Sequence, residues 1–105
     1  MMDIIKQSYN RIRYISLSKK IKTRIVKLLD MYDIIDIKFG PNHLLEPDDI
    51  HIIIISNSFQ NLTPYRRISN IVDILQEDEM FGKYFFTINP LTEHEFNFKR
   101  ENYVH

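Results

Sequence analysis

Residues 49–75 read DIHIIIISNSFQNLTPYRRISNIVDIL, and this stretch decides the fold. Its first eight residues are rich in β-branched apolar side chains, which favour a pleated strand. The run is far shorter than the ~18–20 residues that a membrane-spanning helix needs. Ile50, Ile52 and Ile54 share one face of such a strand, and Ile53 and Ile55 share the other. That pattern predicts a central strand covered on both sides near its end. A turn follows, and Thr63 is then placed to cap a helix whose first position is Pro64, where a missing N–H costs nothing. Tyr65, Ile68, Ile71, Val72 and Leu75 line one side of that helix, leaving Arg66, Arg67, Asn70 and Asp73 mostly outside.

A strand feeding a helix calls for a further strand to receive it. KYFFTIN, 83–89, fits that role, with Tyr84, Phe86 and Ile88 on one side and Pro90 as its stop. The intervening helix permits a parallel, right-handed crossover. Upstream, IIDIKF at 34–39 reads as a strand bounded by Gly40-Pro41. Before it, Ile21, Ile25, Leu28, Leu29 and Tyr32 form one apolar stripe of a helix that Ser16 or Ser18 would cap. The acidic run QEDE, 76–79, reads as a solvated face that breaks at Gly82. Thr92 and Glu95 have capping-box spacing for a final helix within LTEHEFNFKR. The predicted order is α–β–β–α–β–α, an α/β chain with a three-stranded mixed sheet packed against helices.

A chain of 105 residues, 44% hydrophobic and 27% charged, supports one modest core. Residues 19–105 are expected to form it, with 1–18 as a basic N-terminal extension or helix. The formal net charge is zero but unevenly spread. Residues 1–24 hold seven basic side chains and one acidic; the remainder holds seven basic and thirteen acidic. Such a head suits nucleic acid, an anionic membrane or an acidic partner, and it has the look of a mitochondrial presequence; a plain basic first helix reads equally well. Lys19, Lys20, Lys22, Arg66 and Arg67 are the candidate contacts for a partner or for RNA.

Little in the chain supports catalysis. There is no cysteine, which removes disulfides, thiolate chemistry and sulfur-based metal sites from this chain alone. Two glycines, Gly40 and Gly82, build no phosphate-cradling loop, and no nucleophile motif is present. His51 reads as structural within a strand, and His94, between two glutamates, as a surface residue. His43, in the Pro-rich loop, is the best-placed ligand candidate. Phe81, Tyr84, Phe85 and Phe86 read chiefly as core. The expectation is a binding domain that is not an enzyme and has neither a small-molecule substrate nor a membrane span.

With these residues in view, the chain resembles a divergent member of the BolA family over about residues 20–97. Ser56 and Phe59 match that family's Ser-x-x-Phe strand end. Arg67 falls where the first arginine of its Arg-His-Arg helix motif belongs, and Ile71 matches an apolar helix position. Thr92 follows Arg67 at the family spacing without a gap, and Phe96 replaces a tryptophan. Ile34 to His43 fits the first strand and a Ser-x-x-His loop, with Gly40 in the serine position. The resemblance implies a BolA-like, type II KH-like fold. It also implies an iron–sulfur cluster shared with a monothiol glutaredoxin.

Departures bear on that implication. Ile68 and Ser69 follow Arg67, so only the first residue of Arg-His-Arg is kept. The third-strand histidine that the family contributes to the cluster aligns with Tyr84, a poor substitute given the phenol's ordinary pKa near ~10. His43 matches the loop-borne ligand. Two readings follow: an iron–sulfur assembly or trafficking factor with a weakened cluster site, or a structural or RNA-contacting subunit of a larger complex. The KH Gly-x-x-Gly clamp is absent. The chain also resembles small nucleotidyltransferases in Phe39-Gly40-Pro41, Asp49-Ile50-His51 and LTEHEF. There the second metal-binding carboxylate has become His51, so that reading implies an inactive domain.

Overall fold

The computed structural model describes residues 16–40, 50–83 and 85–103, with side chains up to residue 99. Helix α1 covers 16–28, β1 Ile34–Phe39, β2 Ile50–Ser56, α2 Pro64–Leu75, β3 Phe86–Leu91 and α3 Glu93–Tyr103. Two 3-10 turns, Asn57–Phe59 and Phe81–Lys83, flank α2. The sheet order is β1-β2-β3, with β1 antiparallel and β3 parallel to β2. The predicted mixed sheet and its α–β–β–α–β–α order are observed.

One sheet face carries Ile37, Ile50, Ile52, Ile54 and Ile88, all nearly inaccessible. Against it pack Ile21, Ile25 and Leu29 of the α1 segment and Ile71 and Leu75 of α2. Spacing of three to four residues puts each set on a single helix side. Fully burying such a side chain stabilises by about 1.5–3 kcal/mol, so this layer supplies most of the driving force. The opposite face is only partly covered. Ile55 and Leu91 are buried there beside α3, whereas His51, Thr87 and Asn89 stay exposed.

Several expectations need correction. Tyr65 is 80% and Ile68 41% exposed, while Arg67 is buried at 5%. The inner stripe of α2 is therefore Arg67, Ile71 and Leu75, a rotation away from the stripe that hydropathy suggests. Strand β3 starts at Phe86 rather than 83 and continues through Pro90, which pairs with Ile54. A proline is tolerated because β3 is an edge strand and the missing N–H interrupts no ladder. Asp78 is not part of a solvated face. It is buried, and its carboxylate accepts hydrogen bonds from Arg24 Nε at 2.7 Å and from the Met80 N–H at 2.9 Å. Ser16 and Ser18 already lie inside α1 and do not cap it.

Candidate functional site

Three places on the molecule gather polar or exposed groups. The first is the end of the sheet where β1 leaves and β2 and β3 begin. The Gly40 N–H donates to the His51 carbonyl at 2.9 Å, and the Ile50 N–H donates to the Phe85 carbonyl at 3.1 Å. These bonds hold the end of β1, the start of β2 and the approach to β3 side by side. Gly40 is required by that closeness: a Cβ there would meet the His51 Cβ at 2.7 Å. Phe85 is 76% exposed at the same end. His43, Tyr84 and Asp49 lie outside the described residues.

The second place is a joint between β2, α2, β3 and α3. Ser56 is inaccessible, and its hydroxyl accepts a hydrogen bond from the Ser58 N–H, starting the 3-10 turn. Phe59 closes that turn with its ring fully buried against Tyr32, centroids 5.0 Å apart. Arg67 also approaches Phe59, its Cζ 5.9 Å from the ring centroid. From there Nε donates to the Leu62 carbonyl at 2.9 Å, and Nη1 donates to the Pro90 carbonyl at 3.3 Å and Glu95 Oε1 at 2.7 Å. Glu95 Oε1 also accepts from the Thr92 N–H at 2.8 Å, while Thr92 Oγ1 accepts from the Glu95 N–H at 3.2 Å. The capping box is thus formed as expected, and Arg67 is fastened to it. Burial works against the charged form of Glu95, but the Thr92 and Arg67 hydrogen bonds outweigh it and hold the carboxyl below its ordinary value.

Arg67 was expected to face solvent and meet a partner, and the structure turns it inward. A guanidinium matches this position because its planar fork serves three acceptors at once. Arg66, one residue earlier, is exposed. Lys19, Lys20 and Lys22 are exposed on α1, together with Lys27. Lys22 extends towards the Phe39 ring, Nζ 6.0 Å from its centroid.

Sequence reasoning missed the third place, a groove of about 560 Å³ between the start of α2, the end of β3 and α3. Pro64, Ile68, Leu91 and Phe98 give it apolar walls, and His94 and Lys99 also line it. The apolar side chains at 64 and 68 on one helix and 98 on the other were a readable signal, obscured by assigning Ile68 to the core.

The strand order, the parallel crossover through α2 and the α3 layer have a counterpart among solved structures. The BolA domain of SufE1 from Arabidopsis thaliana matches with a TM-score of 0.51 and 22% sequence identity, over 70% of this chain and 92% of that one. The fold is that of a BolA domain. No protein-family model and no curated protein matches the chain.

Within this BolA-like frame, the matched residues Ser56, Phe59, Arg67 and Thr92 are all buried joint residues. They maintain shape and present no reactive group to solvent. The donor set is correspondingly sparse. Among the described residues no three His, Asp or Glu side chains gather to hold a metal, and the whole chain lacks cysteine. An iron–sulfur cluster on this chain would therefore need thiolates from another protein. No helix among the described residues is long and apolar enough to cross a membrane.

Proposed function

We propose that the chain is a non-catalytic BolA-like module that joins a monothiol glutaredoxin in iron–sulfur assembly or trafficking. Its working surface is the sheet end flanked by Gly40, Ile50 and Phe85. The observation that supports this reading is the pair of backbone bonds that brings the end of β1 and the start of β2 beside the approach to β3. His43 is three residues beyond Gly40, and Tyr84 directly precedes Phe85. A cysteine-free chain takes its thiolates from the partner and offers side chains of its own. His43 would serve as a neutral imidazole donor. Tyr84 ligates only after losing a proton whose ordinary pKa is about 10, so the site is weaker than one with two imidazoles.

Anaerobic mixing with a monothiol glutaredoxin, iron and sulfide tests this. A heterocomplex with visible-region absorption is expected, weakened in His43→Ala and strengthened in Tyr84→His. Absence of a heterocomplex, or absorption unchanged in the His43→Ala, Tyr84→Phe double variant, overturns it.

A second reading has its own observation, the exposed lysines 19, 20, 22 and 27 on α1. As an RNA-contacting subunit, the chain would bind with a steep salt dependence through release of counterions from phosphates. Replacing Lys19, Lys20 and Lys22 by glutamate would abolish that binding. Binding insensitive to salt or to these changes removes this reading.

A further inference from the structure

We propose that the groove between α2 and α3 is a separate docking surface for a short amphipathic segment of a partner protein, one with apolar side chains flanked by acidic ones. Ile68 and Phe98 line its walls and are 41% and 62% exposed. Pro64 and Leu91 continue the apolar lining. Helices that present apolar side chains across a groove suit insertion of one face of a third helix.

Charge selects the occupant. Glu95 is the one acidic residue lining the groove, and its Oε1 is held 2.7 Å from Arg67 Nη1. Those two charges cancel, leaving Lys99 to set the sign of the rim. An acidic flank meets that rim favourably, and a basic flank is repelled. Residues 1–15 of this chain are a poor match, since Lys6, Arg11 and Arg13 oppose a single Asp3. A second copy docked groove to groove by two-fold symmetry would set two rims of the same sign against each other. A different protein with an acid-flanked apolar segment remains as the fitting occupant.

This surface is independent of the proposed glutaredoxin contact. In the β2–β3 register, Ile50 pairs with Phe86 at one end and Ile55 with Leu91 at the other. The groove adjoins the Leu91 end, roughly 17–20 Å along the strand from the other. One module then holds two partners at opposite ends of one sheet.

The test is amide chemical-shift mapping on the full chain with two synthetic helix-forming peptides. Both carry leucines at positions i and i+4; one has flanking glutamates and the other flanking lysines. The glutamate peptide is expected to shift Ile68, Leu91 and Phe98. Its affinity should fall at least about tenfold in Ile68→Glu and in Lys99→Glu, the scale of losing a central contact. The lysine peptide should bind at least about tenfold more weakly than the glutamate one. Both variants change exposed side chains and should keep the parent melting temperature and the glutaredoxin complex. Equal binding of the two peptides, no binding of either, shifts centred on Gly40 and Phe85, or self-association through the groove overturns the proposal.

Discussion

A guanidinium removed from water must recover its lost hydration from fixed partners, and Arg67 does so through the Leu62 and Pro90 carbonyls and Glu95. Deleting it strands those acceptors. Arg67→Ala should therefore destabilise the fold by about 2–4 kcal/mol, somewhat under the figure for a fully buried pair because the Glu95 side chain keeps 36% of its exposure. Arg66→Ala, at an exposed position, should stay within about 0.5 kcal/mol. Urea midpoints of the two variants check the contrast. This joint and the Arg24–Asp78 pair give a pH dependence. Glu95 and Asp78 are both held below their ordinary values of 4.5 and 3.8. For Asp78 the hydrogen bond from Arg24 leads, opposed by burial. A depressed folded-state pKa means stability that is full above the ordinary value and lost as pH falls through the folded one. Acid titration of stability should thus show a loss below about pH 4.5 that is shallower in Glu95→Gln.

At the scale of elements, what was legible in the sequence was what neighbours in the chain decide. Thr63 caps α2 by accepting a hydrogen bond from the Arg66 N–H, and Thr92 with Glu95 caps α3; each involves residues three apart. Thr63→Ala and Thr92→Ala should each cost about 0.5–2 kcal/mol, read from thermal or urea unfolding. The rotation of α2 was not legible, because Arg67 turns inward to acceptors 23 and 28 residues away. Hydropathy ranks Ile68 above Arg67 at any one position and knows nothing of Pro90 or Glu95. The limits of β3 escaped for a similar reason: Pro90 stops a strand only where its N–H would have had a partner, and on this edge it has none to lose. Gly40 illustrates the same dependence on tertiary contact. With His51 Cβ at 2.7 Å from an added Cβ, Gly40→Ala should cost about 1–3 kcal/mol and disturb the β1–β2 ladder, visible as faster amide exchange at Phe39 and Ile52.

For the whole molecule, a shared sheet separates the regions that the sequence placed in one functional argument. The residues carrying the family likeness, Ser56, Phe59, Arg67 and Thr92, knit β2, α2, β3 and α3 together at one end. His43 and Tyr84, expected to carry cluster chemistry, are chain neighbours of Gly40 and Phe85, which are tied at the other end. Shape could be read from spacing because Ser56 and Phe59, and Thr92 and Glu95, each sit three residues apart. Chemistry could not, because the ligands expected at His43 and Tyr84 rest on a resemblance and not on local spacing. The central claim is that the loop-bearing sheet end meets a glutaredoxin. Chemical-shift mapping of the isotope-labelled chain, titrated with a monothiol glutaredoxin, tests it most directly. Perturbations concentrated at Gly40, Ile50, His51 and Phe85 are predicted; perturbations confined to the α1 lysines, or none at saturating partner, would contradict it.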